Sequence, residues 1–173
     1  TASWEKCPKC QALAKREGVD IKHLQNYFTA RMEKFAGKHG HRIIGWDEVL
    51  QSKNLSDSTI IMSWRGVAPG SEAAKRGHDV IMSPTHYNYF DYCQTAEGED
   101  DWGEPLLIGG DLPIEKTYSF EPCPDSLPAA AKSHIIGVQA NLWTEYIGYT
   151  SLAQYQVLPR MGALAEVQGM HPA

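Results

Sequence analysis

Residues 59–82 read TIIMSWRGVAPGSEAAKRGHDVIM. Thr59 to Trp64 is a short apolar run with β-branched residues at its start, and Asp79 to Met82 is a second such run. Both predict buried strands. Between them, Ser71 to Arg76 predicts a helix that Gly77 closes. A strand, a helix and a strand at this spacing form a parallel pair with a helical crossover.

The same alternation continues on either side. Arg42 to Trp46 (RIIGW) predicts another buried strand, and Asp47 to Gln51 a single helical turn. Pro8 to Glu17 predicts a short helix closed by Gly18. Asp20 is a suitable N-cap for the helix that follows. Ile21, Leu24, Phe28, Met32 and Phe35 recur at helical spacing and share one face, and Gly37 and Gly40 end that helix. Downstream, Ser83 to about Pro128 is long and irregular. It carries Pro84, Pro105, Pro113, Pro122 and Pro124 and a cluster of aromatic residues. Long ordered loops in compact domains usually carry function. His134 to Ala140 (HIIGVQA) predicts a fourth strand. Ser151 to Val167 predicts a last helix with a kink at Pro159. Four strands joined mostly by helices predict an α/β fold with a parallel sheet.

Composition narrows the function. The chain has 173 residues, which at roughly 150 residues per domain is one domain or part of a larger one. Hydrophobic residues are 42% and charged residues 21%, as in globular chains. Lys plus Arg is 16 against 21 for Asp plus Glu, a net charge of −5, which argues against a nucleic-acid partner. No apolar run approaches the ~20 residues of a membrane helix, so no membrane partner is expected. The opening TASWEKCPKC has no basic stretch followed by an apolar one, so no signal peptide is expected there.

Of the four cysteines, Cys7, Cys10, Cys93 and Cys123, only the first two have a motif spacing, C-x-x-C. A four-ligand zinc site needs a second close pair of Cys or His, and none is evident, so no metal is expected. A thioredoxin-like redox motif follows a strand, and no strand is predicted before Cys7. A structural or incidental role is therefore expected. Among the histidines, His23, His39 and His41 read as solvated and His134 as a satisfied residue at a strand start. His86 lies in the aromatic loop and is the one candidate for a site role.

The strand ends carry the chemistry. The first strand runs into Trp46-Asp47-Glu48, the second into Ser63-Trp64-Arg65-Gly66, and the fourth into Asn141-Leu142-Trp143-Thr144-Glu145. The third is followed by His86-Tyr87-Asn88-Tyr89-Phe90-Asp91-Tyr92. Parallel strands share a direction, so these clusters meet on one face. In a (β/α)8 barrel that face is the rim where active sites are built. Aromatic faces interspersed with carboxylates suit a pyranose sugar, whose C–H surface packs on rings and whose hydroxyls donate to carboxylates. A cationic ligand held by cation–π contacts is the other reading.

The segments IIGWDE, IIMSWRG, DVIMSP, YFDY, IIGVQANLWTE and LPRMGALAE, in this order from about Trp4 to Val167, resemble the second half of the catalytic domain of family 20 glycoside hydrolases, the β-N-acetylhexosaminidases. The resemblance implies a (β/α)8 TIM barrel of which residues 1–173 are a partial domain, strands five to eight with their helices. It implies a retaining hydrolase of terminal β-linked N-acetylhexosamine. In that family the substrate's own 2-acetamido oxygen attacks the anomeric carbon and forms an oxazolinium, assisted by an adjacent Asp-Glu pair. This departs from the usual scheme of two enzymic carboxylates.

By the same resemblance Trp46, Trp64 and Trp143 line the pocket, the first two around the acetamido methyl and the third under the ring. Tyr89 donates its hydroxyl to the acetamido oxygen, and Asp91 and Glu145 accept from sugar hydroxyls. Trp102 is an unassigned candidate for the rim. No cofactor and no metal are implied, and the family suggests a periplasmic or extracellular setting. The family's His-x-Gly-Gly-Asp-Glu motif is not found in residues 1–173. Asp47-Glu48 belongs to the following strand and is expected to hold the rim or cap a turn rather than act as acid and base. The chain by itself is therefore expected to be inactive and, with half a barrel's faces open, to self-associate. The alternative to the enzyme is a carbohydrate-binding module that never had the acid. A weaker third is a small metal or redox protein built on Cys7 and Cys10.

Overall fold

The structure is a computed structural model that describes residues 2–52, 55–95 and 104–170. Four strands, β1 (Ile44–Trp46), β2 (Ile60–Ser63), β3 (Val80–Met82) and β4 (Ile135–Val138), form one sheet in the order β1-β2-β3-β4. Every pairing is parallel: Ile44 faces Ile60, Ile61 faces Val80, and Met82 faces Val138, with an irregularity at Val80/Ile81. Sequential order matters. A doubly wound sheet reverses direction at a switch point, whereas here each strand joins on the same side as the last, as successive strands of a barrel do.

The helices are α1 (Ala2–Glu5), α2 (Pro8–Glu17), α3 (Leu24–Lys38), α4 (Val67–Lys75), α5 (Thr85–Asn88), α6 (Ile114–Tyr118), α7 (Ala129–Lys132), α8 (Thr150–Val157) and α9 (Arg160–Met170). Helix α2 spans the predicted residues. Pro8 opens it and Gly18, at φ 65°, closes it in the left-handed conformation that glycine adopts without strain.

Helices α5 and α6 fall within the stretch expected to be irregular, α1 and α7 have no counterpart in the expected elements, and three further elements differ in their caps or bounds. Asp20 caps a 3-10 turn, Ile21–His23, rather than α3 itself, its carboxylate accepting from the Lys22 N–H at 2.8 Å. Helix α4 starts at Val67, four residues before Ser71. Pro69 falls in its first turn, where the missing N–H costs nothing. Gly70 brings the helix onto the sheet, since a Cβ there would lie 2.7 Å from the Met82 sulfur and 2.9 Å from Ser63 Cβ. The last helix is two helices, α8 and α9, broken at the extended Leu158, because proline disfavours helical geometry in the residue before it.

The two faces of the sheet are unequal. Ile61, Val80 and Met82 point to one side and pack with Ala73 and Ala74 of α4, Phe90, Leu112, Phe120, Leu127, Ala131 of α7, and Leu164 and Val167 of α9. The other side is open at both edges, with Ile44 54% and Ile136 51% exposed. That is the side that faces inward in a closed barrel. Helix α3 has the predicted apolar spacing, yet only Leu24 is buried, and Phe28 and Phe35 are each 60% exposed. The helix is tied down by a polar contact instead. Its Glu33 carboxylate accepts from the Thr59 hydroxyl and, at 3.2 Å, from the Ser56 N–H, just before β2.

Candidate functional site at the strand ends

The backbone past β3 and β4 stays paired after the strands end. Phe90 N–H donates to Asn141 O at 2.7 Å and Asn141 N–H to Asn88 O at 2.8 Å. The Asn141 side chain donates to the Ser83 hydroxyl at 2.6 Å and accepts from Gln139 at 2.9 Å. These buried amide contacts fix where Tyr89 and Trp143 leave the sheet. The two rings meet at 6.4 Å between centroids, tilted by 59°, and Trp143 meets Trp46 at 6.2 Å and 45°. Three strand ends thus converge on one aromatic group, drawn from residues far apart in sequence.

Trp64 is held differently. Its indole N–H donates to Glu48 Oε2 at 2.9 Å and its backbone N–H to Asp47 Oδ2 at 3.0 Å. Among the described residues its ring stacks on none of the other three. Asp47 is fully buried, and it also accepts from the Arg65 backbone N–H at 3.1 Å and from the Arg65 guanidinium. Both carboxylates of Asp47-Glu48 thus hold the β2 end by hydrogen bonds.

Asp91 is buried, and its Oδ1 has no hydrogen-bond partner among the described residues. Burial pushes its carboxyl above the usual range, and the charge of Glu145 pushes the same way. Its own N–H, Arg160 and the Trp143 N–H act in the opposite sense. Buried polar atoms are nearly always paired, and this carboxylate oxygen beside an aromatic cluster is an exception to that rule. Tyr89 is also buried, and burial raises its phenol pKa. It stays a protonated donor at any ordinary pH. Its ring stands edge-on to Tyr92 at 6.2 Å and 75°. Glu145 is exposed, outside the aromatic cluster but near enough for its charge to act on Asp91. Trp102 lies outside the described residues.

His86 is exposed and lines a cavity of about 470 Å³ with Tyr87, Asp111, Pro113 and Lys116, which includes none of the residues above. His134 pairs with Asp79 at 3.2 Å, as a satisfied residue should. Among the described residues, no group of three or more His, Cys, Asp or Glu side chains is arranged to hold a metal ion.

One residue was missed. Arg160, at the start of α9, is fully buried with no carboxylate in salt-bridge contact among the described residues. Its guanidinium donates to the carbonyls of Phe90 at 2.6 Å, Tyr92 at 3.1 Å, Leu112 at 3.0 Å and Gln156 at 3.0 Å, and lies 5.0 Å from the centre of the Phe90 ring. Burial lowers its pKa to about 10, so it remains charged at neutral pH. Two of those carbonyls flank Asp91, so the cation clamps the backbone that carries Tyr89 and Asp91. A signal was present: Arg160 shares a helical face with Leu164 and Val167, and a charge on a core face needs partners.

The chain is similar to known proteins along most of its length. A β-hexosaminidase of Porphyromonas gingivalis is 42% identical over 166 residues, covering 95% of this chain and 21% of the relative. One of Vibrio furnissii is 34% identical, covering 94% and 26%. The solved structure of a Vibrio harveyi exo-β-N-acetylglucosaminidase in complex with N-acetylglucosamine superposes with a TM-score of 0.81 at 34% identity, covering 98% of this chain and 27% of that one. The chain thus spans about a fifth to a quarter of the length of these relatives. The sheet with its crossovers is accordingly part of a TIM barrel. The model of the glycosyl hydrolase family 20 catalytic domain matches residues 1–169, and the chain belongs to that family.

Proposed function

We propose that residues 1–173 are the second half of a β-N-acetylhexosaminidase catalytic barrel, strands five to eight, and that they supply the sugar pocket. The observation that carries this is the orphaned Asp91 oxygen beside the joined rings of Trp46, Tyr89 and Trp143. Trp143 packs under the pyranose, and Trp46 and Trp64 enclose the acetamido methyl. Asp91 and Glu145 accept from ring hydroxyls, with Glu145 reading the 4- and 6-positions. The Tyr89 hydroxyl donates to the acetamido oxygen. As that oxygen closes on the anomeric carbon, a donor already in place needs no reorganisation. The acid that protonates the leaving oxygen, and the carboxylate that orients the acetamido group, come from an Asp-Glu pair outside this chain. Neither half has the full set, so this chain alone has negligible turnover, general acid–base catalysis by itself being worth about 10²- to 10⁴-fold. The open inner face also leads the isolated chain to self-associate.

The test is hydrolysis of a chromogenic N-acetyl-β-glucosaminide by this chain and by a protein extended upstream through a His-x-Gly-Gly-Asp-Glu motif. Activity in the extended protein only is the expected result. Turnover by the chain alone overturns the assignment of the acid. Sugar binding without turnover in the extended protein makes the site a carbohydrate-binding module.

A further inference from the structure

Outside the sugar site, one pair of nucleophilic side chains has no part in the proposed reaction. Cys7 is the N-cap of α2 and Cys10 lies in its first turn. Cys7 is extended, at φ −90° and ψ 115°. Its N–H donates to Trp4 O at 3.0 Å and its carbonyl accepts from Gln11 N–H at 3.0 Å, which fixes the residue from both sides. Two residues three apart at a helix start have Cα atoms about 5–6 Å apart, inside the range a disulfide spans. Both cysteines are half-buried, so reagents reach them. Among the described residues no third ligand joins them to make a metal site. Among the described residues a turn at Lys6, rather than a strand, leads into α2 and supplies the same N-cap placement of the first cysteine.

The pair is chemically asymmetric. The Cys10 backbone N–H and then the Cys10 thiol hold the Cys7 thiol below its ordinary pKa, with Lys9 adding to the effect. The same partnership raises Cys10. Burial, in contrast, pushes the thiols of Cys93 and Cys123 up. A thiol of lowered pKa at a helix N-terminus with a second thiol one turn along has the layout of an attacking and a resolving cysteine.

We propose that Cys7 and Cys10 are a reversible dithiol–disulfide pair that exchanges with low-molecular-weight disulfides. The Cys7 thiolate attacks one sulfur of the small disulfide, whose S–S bond breaks, and the departing thiolate takes up a proton. Cys10, having lost its proton to solvent, attacks the Cys7 sulfur of the mixed disulfide. The Cys7–Cys10 bond forms and the second small thiol leaves. In total, the two cysteines lose two electrons and two protons, and the small disulfide is reduced to two thiols.

The test treats the folded chain with oxidised glutathione, caps free thiols with a maleimide, and reads intact mass and peptides. The expected product has lost two hydrogens, carries no glutathione, takes up maleimide only at Cys93 and Cys123, and reverts with dithiothreitol. Cys10→Ser is expected to trap one glutathione on Cys7. Cys7→Ser is expected to slow modification at Cys10 at least ~10-fold. Glutathione that persists on the unaltered chain, or Cys93 or Cys123 reacting before Cys7, overturns the proposal. Neither result touches the sugar-site reading, because no residue of that site lies on α1 or α2.

Discussion

The rim of the sheet and its inner face are made of neighbouring residues and end up in opposite states. At the rim, Asp47, Ser83, Asn141 and Arg160 are buried and hydrogen-bonded, and each contact closes within this chain. On the inner face, Ile44 and Ile136 stand half in solvent. The difference follows from the forces involved. Hydrogen bonds are short and directional, and two or three partners satisfy a group wherever they come from. Apolar burial needs area, and half a barrel has half the area. The hydrogen bonds that set the rim are thus local to this chain, whereas the surface that closes the barrel is not.

The largest break in that comparison is at Arg160. Arg160→Met leaves the carbonyls of Phe90, Tyr92, Leu112 and Gln156 buried without their donor, and is expected to cost about 3–5 kcal/mol. Urea denaturation measures it. Arg160→Lys keeps the charge but not the planar fork, and should recover only part of the loss. An unchanged midpoint for Arg160→Met would mean that the loop carrying Tyr89 holds its place without the clamp.

Tyr89→Phe probes chemistry at the same rim with the packing kept. In the upstream-extended protein it is expected to lower kcat about 10²- to 10³-fold, the usual effect of removing one donor to a developing charge. The urea midpoint should stay within about 0.5 kcal/mol of the parent. A fall in stability equal to the fall in rate would show that the hydroxyl holds the fold rather than the reaction.

These two residues also mark what could be read from the sequence. The strands were legible because continuous apolar runs such as Ile60-Ile61-Met62 have few alternatives to burial. Trp46, Tyr89 and Trp143 were legible as one cluster because parallel strands place their ends together. The early start of α4 was not, since proline and glycine are poor helix formers and only the sheet beneath Gly70 shows why a glycine is needed there. The spacing of Arg160 with Leu164 and Val167 places a charge on a core face, but where that charge binds was not legible, because its partners are carbonyls, which every residue has and no sequence pattern marks. The spacing of the α3 face was legible, but its exposure was not. Periodicity says that a face is apolar and says nothing of whether a partner is present.

A smaller effect, dependent on pH, is expected at the lower edge of the sheet. The Arg42 guanidinium, at 2.7 Å, and then His134 hold the Asp79 carboxyl below its ordinary pKa. A depressed carboxylate stabilises the fold fully above its unfolded pKa of about 3.9, and that contribution is lost as pH falls through the lower, folded value. The pair is partly exposed, so solvent screening keeps it under about 1 kcal/mol. Arg42→Gln should reduce stability slightly at neutral pH and flatten its decline on acidification. Denaturation curves across that range test this, and an unchanged acid limb would remove the pair from the balance.

The smallest effect on stability, and the sharpest on assembly, separates the two exposed apolar surfaces. Ile44 and Ile136 sit on a sheet face whose edges β1 and β4 also offer unpaired backbone groups. Phe28 and Phe35 sit on a helix whose backbone is already satisfied. An open edge recruits another chain by hydrogen bonds as well as by apolar area, so self-association should run through the sheet. Ile44→Thr with Ile136→Thr is expected to shift the isolated chain towards monomer in light scattering at micromolar concentration. Phe28→Ser with Phe35→Ser should leave the association nearly unchanged. Each pair is exposed and should alter folding stability by only about 0.5 kcal/mol per site. If the α3 pair disperses the chain and the strand pair does not, apolar area alone drives association and the open edges are inert. A parent chain that is already monomeric removes the premise that the open face matters in solution.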